Sequence, residues 1–146
     1  MNQYYKNLFE HEYWANLKVL ESIIHSSTPP QRAIEIFSHI IAAQRIWLDR
    51  IMAKKNEVRV WEVFDVNIML ELLEINFADI NKVIKKEEMG QLIAYHNTKG
   101  DSFTNTISEI FSHLLLHSAY HRGQVVILLK GNIEQLPMTD YILFKR

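Results

Sequence analysis

Cysteine is absent from the 146-residue sequence, and glycine and proline occur only four and three times. The lack of cysteine excludes disulfide bonds, thiolate nucleophiles and zinc sites built on cysteine. It also fits a reducing compartment such as the cytoplasm. Because glycine and proline interrupt regular structure, their scarcity favours long, unbroken helices.

Neither sign of charge dominates, since 16 Lys and Arg stand against 17 Asp and Glu. Without a basic stripe, we expect no nucleic-acid partner. No apolar run approaches the ~18 residues that a membrane span needs, and the first residues lack the apolar core of a signal peptide. Hydrophobic residues make up 48% of the chain, enough for a sizeable core. We therefore expect one globular cytoplasmic domain over residues 1–146, without a membrane partner.

Apolar residues recur at helical spacing in four long segments. The second segment begins with a candidate capping box, with Thr28 as the N-cap and Gln31 three residues later. Thr106 and Glu109 form the same pattern before the fourth segment, and Asp65 is a candidate cap for the third. The sequence thus predicts helices over about Asn2–His25, Pro29–Lys54, Asp65–Lys86 and Thr106–Lys130.

The connecting segments suggest how these helices are joined. The connection Lys55–Phe64 is long for a tight antiparallel turn, which indicates a crossover. In Gln91–Thr104, β-branched and aromatic residues flank a glycine turn, and this predicts a hairpin-like connection. The apolar segment Tyr141–Phe144 should pack on the bundle. Four helices around one core, an all-α four-helix bundle, is the simplest architecture.

Three histidines, His113, His117 and His121, follow one another at four-residue spacing. Residues four apart share a helix face with Cβ atoms about 6 Å apart, so two imidazoles can bind one ion at roughly 2.1 Å. Residues eight apart are separated by ~12 Å of helical rise, too far for His113 and His121 to bind the same ion. Spacing alone therefore pairs His117 with either neighbour.

A third ligand has to come from another helix. His39 is the best candidate, because Ile36 and Ala43 place it on an apolar, inward face. His11 is the second candidate, but Ala15 stands where an H-E-x-x-H zinc motif requires its second histidine. The opposing interpretation is that these are core histidines satisfied by ordinary hydrogen bonds.

The order of motifs closely resembles the DinB-like (YfiT-like) superfamily over nearly the whole chain. The matching motifs are WAN, an inward histidine in FSHIIAAQRIWLDRI, Y-x-N-x-x-G, HxxxHSxYHRGQ and P-x-T-D-Y-I, which start at Trp14, Phe37, Tyr95, His113 and Pro137.

The resemblance implies an up-down-down-up four-helix bundle with a long crossover between helices two and three. It also implies a divalent metal bound by His39 of helix two and by His117 and His121 of helix four. Relatives include transferases and isomerases that use bacillithiol or mycothiol, metal-dependent hydrolases, and damage-inducible proteins. We also expect a homodimer.

Three neutral imidazoles leave the full charge of the ion and an open position for water or substrate. Such an ion acidifies bound water toward a pKa of ~7, or binds a thiol. Zinc, nickel, iron and manganese fit imidazole ligands, whereas magnesium and calcium do not. We therefore expect a metal-dependent enzyme that acts on a small molecule, either a transferase with a low-molecular-weight thiol cosubstrate or a hydrolase. The alternatives are a non-catalytic, stress-inducible metal-binding protein and a purely structural bundle.

Side chains around the ligands are expected to orient them or to line the pocket. The candidates are His113, Gln124, Asn16, Tyr120 and Glu109. Arg122 should point away from the ion and anchor local structure by pairing with Asp140. Gly123 costs about 1 kcal/mol within a helix relative to alanine, which suggests close approach of a neighbouring element.

Overall fold

The computed structural model describes residues 1–146 as four long helices, a short C-terminal helix and one β-hairpin. The helices are α1 (Asn2–His25), α2 (Gln31–Ile51), α3 (Val66–Lys86), α4 (Ile107–Leu129) and α5 (Tyr141–Phe144), and the strands are β1 (Leu92–His96) and β2 (Ser102–Thr106). None of the helices combines the length and apolar character that crossing a bilayer would require.

Contacts between α1 and α4 show that these two helices run in the same direction. Near the start of both, the Tyr5 hydroxyl donates to the carbonyl of Ser108 over 2.8 Å. Further along both, Glu12 forms an ion pair with Arg122. Early residues of α1 meet early residues of α4 and later residues meet later ones, so α1 and α4 are parallel neighbours.

Helices α2 and α3 are also parallel. The Ser38 hydroxyl near the start of α2 accepts a hydrogen bond from the backbone N–H of Phe64, just before α3. Further along, Arg45 pairs with Asp79 at 2.9 Å.

The two parallel pairs point in opposite directions. Asn2 at the start of α1 donates to the carbonyl of Ile84, which lies near the end of α3. The segment between α2 and α3 therefore returns along the bundle before α3 begins. This confirms the expected up-down-down-up topology with a long crossover.

Apolar residues that recur at helical spacing fill the interior in two clusters. Toward the hairpin end, Phe9 and Phe111 meet edge to face, with ring centroids 4.7 Å apart. Toward the other end, Phe37 and Val125 lie in the second cluster and are fully buried. The histidines of α2 and α4 thus lie on helices that are packed into the core on either side of the histidine positions.

The predicted capping box at Thr28 and Gln31 is wrong. Helix α2 begins at Gln31 with Pro30 as its N-cap, and no side chain caps it. The residue before a proline is disfavoured in the helical region, which applies to Pro29, and the helix starts only after Pro30, whose ψ is 133°. The helix also ends earlier than expected, at Ile51, and Ala53 adopts a positive φ of 52°.

The other local expectations are confirmed. Thr106 and Glu109 form a complete capping box on α4, and Asp65 accepts from the backbone N–H of Asn67 at the start of α3. Gly131 follows α4 with a φ of +88°, the left-handed conformation that glycine adopts at low cost. The hairpin is a two-stranded antiparallel sheet. The C-terminal segment packs on α1, where Phe144 contacts Trp14.

Candidate metal centre

Three imidazoles converge where α2 faces α4. His39 comes from α2, and His117 and His121 come from successive turns of α4. One ring nitrogen of each lies within 4.8 Å of those of the other two. The Nε2 atoms of His39 and His117 are 3.0 Å apart. Two ligands of a tetrahedral ion with bonds of about 2.1 Å are roughly 3.4 Å apart, so the pair needs little adjustment to fit one.

The outer nitrogens of two of these rings are fixed by acceptors. His39 Nδ1 donates to the carbonyl oxygen of Val60 over 2.7 Å, and His121 Nδ1 donates to Gln124 Oε1 over 2.7 Å. A neutral imidazole that donates through Nδ1 has its lone pair on Nε2. Both lone pairs therefore belong to the inner nitrogens, and this is the arrangement that metal-binding histidines show.

The third imidazole, that of His117, has an incomplete set of hydrogen bonds. His117 Nδ1 is buried and has no hydrogen-bond partner in the protein. Because His39 Nε2 can only accept, His117 Nε2 is the donor of their contact in the metal-free tautomer. His117 Nδ1 is then a buried acceptor without a donor, which is unfavourable. The cluster thus lacks the full set of bonds expected of purely structural histidines.

Trp61 is a site residue that sequence reasoning missed. Its ring stacks on His39 with centroids 3.9 Å apart and planes 9° apart. The Trp61 ring also contacts Arg32, whose guanidinium lies 5.2 Å from the ring centroid. The crossover positions both the Trp61 ring and the carbonyl of Val60. A tryptophan in a long connection was the available signal, because connections often carry residues that contact a functional site.

The cluster lies near the surface rather than in the core. His39 is 6% exposed, and His117 and His121 are partly exposed. A cleft of about 810 Å³ lies elsewhere, between α1 and the C-terminal segment, and contains none of the three histidines. The imidazoles thus lie near the surface and outside that cleft.

Three of the predicted neighbours lie beside the cluster. Gln124 accepts from His121, as described. The ring of Tyr120 is 5.0 Å from that of His121 and the residue is 67% exposed. The ring of His113 is 5.4 Å from that of His117 and contacts Trp47 on its other side. None of the contacts of His113 brings it into the group formed by the nitrogens of His39, His117 and His121.

Two other predicted neighbours lie outside the cluster. Asn16 is bonded to Glu12 and Arg122 in the interior, and Glu109 bonds to the start of α4. The expected pair between Arg122 and Asp140 is wrong. Arg122 lies on the buried face of α4, because one residue beyond His121 turns a side chain by about a quarter of a circle.

Gly123 also differs from expectation. No atom lies within 4 Å of the position that a Cβ would occupy, so no neighbouring element approaches it. Packing within the chain therefore does not explain why a glycine stands at position 123 of the helix.

Outside the cluster, the second candidate ligand has another role. His11 Nε2 bonds the carbonyl oxygen of Thr139 over 2.7 Å, and its ring contacts Tyr141 and Phe144. It fixes the C-terminal segment on α1. His25 and His96 are exposed.

Burial and mutual proximity keep the imidazoles of His39 and His117 neutral. Burial, with smaller effects of His121, His39 and His113, lowers the pKa of His117 to about 4. Burial also lowers the pKa of His39, although the bond to the Val60 carbonyl opposes this. At neutral pH the rings can therefore act as metal ligands without first losing a proton.

The lowered pKa predicts how stability of the metal-free protein depends on pH. Between pH 6.5 and about 4, the unfolded chain holds a proton on His117 that the folded protein does not. Stability rises with pH wherever the unfolded state binds more protons, so the free energy of unfolding should fall as pH drops through this window. Urea unfolding of metal-free protein at pH 7 and pH 5 measures it. His117→Asn should reduce the difference and His25→Asn should not; equal pH dependence in all three proteins would contradict the expectation.

The fold and the histidine cluster together define a helical bundle of a class compatible with divalent-metal binding. A family model described as the DinB family matches residues 1–146, and the chain belongs to that family. It is also similar to protein DinB of Bacillus subtilis (strain 168), with 21% identity in an alignment covering 99% of this chain and 95% of that protein. No solved structure gives a significant match.

Proposed function

We propose that the protein is a divalent-metal-dependent enzyme that acts on a small molecule, transferring a low-molecular-weight thiol to it or hydrolysing it. The observation that carries the proposal is the orientation of the ligands. His39 and His121 donate through Nδ1, which leaves their lone pairs on Nε2, and a ring nitrogen of each lies within 4.8 Å of one of His117. We propose these three residues as the ligands, and the cytoplasm, which suits a chain without cysteine, as the location.

The chemistry follows from the donor set. Zinc, nickel, iron or manganese bound by three neutral imidazoles supplies an uncompensated positive charge that acidifies a bound water or thiol. No carboxylate belongs to the nitrogen group. The partial exposure of His117 and His121 leaves one side of the site open to a small molecule. Trp61 offers a flat apolar wall beside that opening, since half of its surface remains exposed.

The second candidate function is metal binding without catalysis, in a stress-inducible protein. Neither of the two best-defined clefts contains the three histidines, and this favours it, because most enzymes enclose their small-molecule substrates. The two candidates differ in whether the ion keeps an open position that a substrate can reach.

The deciding experiment measures metal content and activity on the same preparation. Protein purified without added metal is analysed for its elements. It is then assayed for transfer of a low-molecular-weight thiol to an electrophile and for ester and amide hydrolysis. We expect one metal ion per chain and one of these activities, lost on chelation and restored by metal. Metal without activity would favour the second candidate, and protein that binds no metal would contradict both.

We further propose that the active form is a homodimer joined through the outer face of α4. The exposed side chains of α4 from Ser112 to Ile127 carry no acidic or basic residue other than histidine. Leu116, Tyr120 and Ile127 are 67–73% exposed on this face, and the open space at Gly123 lies between them. A helix that is apolar all round is normally buried. An uncharged face suits a second copy of itself, because symmetric contact brings no like charges together.

Sedimentation or light scattering tests this arrangement. The wild type should have twice the 17.3 kDa mass of the chain. Ile127→Lys should give monomers, because it places two like charges in a symmetric apolar contact. Leu70→Lys, at a similarly exposed apolar position on α3, should remain dimeric. A monomeric wild type, or a dimer that survives Ile127→Lys, would contradict the proposal.

A further inference from the structure

A buried carboxylate lies at the centre of the bundle, away from the imidazoles. Glu12 of α1 is 2% exposed and is held by groups from three helices. Its Oε2 accepts from Arg122 of α4, and its Oε1 accepts from Gln44 of α2 over 3.2 Å and from Asn16 of α1 over 2.9 Å. Asn16 Oδ1 in turn accepts from Arg122 over 3.0 Å.

The partners of Glu12 belong to the two helices that carry the histidines. Arg122 directly follows His121 on α4, and Gln44 lies five residues after His39 on α2. The carboxylate is therefore bonded at once to both ligand-bearing helices, from a third helix that carries no ligand. Helices α1 and α2 have few other contacts with each other, since α1 packs mainly on α3 and α4.

A buried ion pair is weak evidence of stability, because desolvation of the charges offsets much of their attraction. Apolar residues of similar volume often stabilise a fold as well or better. The directional bonds of Glu12 do something that apolar contacts cannot. They specify the rotation of α4 about its axis and its offset from α2. Two imidazoles four residues apart on one helix can converge with an imidazole from another helix only when the two helices have one particular relative rotation and axial offset.

We propose that Glu12 is the positioning residue of the histidine cluster. It holds α2 and α4 in the arrangement that brings His39 to His117 and His121. The inference rests on the proposed metal site, because metal affinity is its clearest measurement. The positioning of the imidazoles can also be measured in the metal-free protein.

The test replaces the pair without leaving a buried charge unpaired. The double variant Glu12→Leu with Arg122→Met removes both charges and keeps the volume apolar. Glu12→Gln keeps the shape and removes one charge, so it serves if the double variant does not fold. Asp79→Asn is the matched control. It weakens another buried ion pair, between α2 and α3, neither of whose residues adjoins a histidine of the cluster.

Each protein is titrated with Co²⁺, whose visible spectrum reports coordination geometry, and unfolded with urea in the metal-free state. We expect the double variant to unfold near the wild-type urea midpoint but to bind Co²⁺ about 10–100-fold more weakly, the range found when groups that orient ligands are removed. Its spectrum should differ from that of the wild type. Asp79→Asn should keep the wild-type affinity and spectrum, whatever its midpoint.

Imidazole nitrogen NMR signals of the metal-free proteins separate this proposal from the proposed function. If the wild type binds no Co²⁺, the metal proposal fails. The positioning proposal then still requires His39 and His117 signals to shift in the Glu12 variants and not in Asp79→Asn. Wild-type affinity and spectrum in the double variant would overturn it, as would unchanged imidazole signals. Equal loss of affinity in Asp79→Asn would also overturn it, since the effect would then be general loosening of the bundle.

Discussion

His117→Ala should weaken metal binding by more than ~100-fold. Removal of groups that only orient a ligand costs roughly 10–100-fold, so loss of a ligand should exceed that range. His117 lies close to both other imidazoles, since its ring is 4.8 Å from that of His39 and 4.4 Å from that of His121. Without it, the remaining two nitrogens belong to different helices. Competitive titration with Zn²⁺ or Co²⁺ against a chelator of known affinity measures the effect.

His113→Ala is the matched control for that substitution. His113 lies one turn before His117 on the same helix and is exposed, with its ring 5.7 Å from that of Trp47. Its ring packs beside the cluster without joining the nitrogen group, so affinity should fall by at most about 10–100-fold. Circular dichroism should show the same helix content in both variants. Equal losses for His113→Ala and His117→Ala, with His121→Ala harmless, would mean that the wrong pair of α4 histidines has been assigned.

Phe111→Ala should cause the largest loss of stability, about 3–5 kcal/mol, as is usual when a buried phenylalanine is truncated. Phe111 is fully buried on α4. Its ring meets Phe9 and Tyr5 of α1 edge to face, with centroids 4.7 and 5.6 Å away. The substitution removes both aromatic contacts and leaves a cavity between two parallel helices. Urea unfolding of the metal-free protein measures the difference, since a bound ion would add its own stabilisation.

Ile24→Ala provides the comparison, because Ile24 is 56% exposed at the end of α1. A surface change of this kind should stay within about 0.5 kcal/mol of the wild type. If Phe111→Ala lost no more stability than Ile24→Ala, the aromatic contacts of α1 and α4 would not hold the bundle together.

The four helices could be predicted because their signals are local. Apolar spacing, the capping box at Thr106 and the cap at Asp65 each depend on a few neighbouring residues. The start of α2 was mispredicted where two local rules competed. Thr28 and Gln31 have the spacing of a cap, but the pair Pro29 and Pro30 excludes helical backbone between them.

The grouping of His39, His117 and His121 was predictable from the sequence, but its surroundings were not. Spacing restricts the α4 pair to His117 and one neighbour, and the motif resemblance selects His121. The acceptor for His39 is a backbone carbonyl, that of Val60, and any residue supplies one. The partner of Arg122 is Glu12, 110 residues away in the chain. No periodicity reports a contact of that separation, so it appears only with the fold.

The separation of the ligands along the chain also has a consequence during synthesis. His39 and His117 are 78 residues apart. At about 5–20 residues per second, the ribosome adds the second roughly 4–16 s after the first. For that interval the nascent chain offers a lone imidazole on α2, which binds ions too weakly to retain them. Under the proposed metal binding, loading would therefore follow release of α4, and the captured ion would reflect the free metal pool met by the finished polypeptide rather than that at the ribosome.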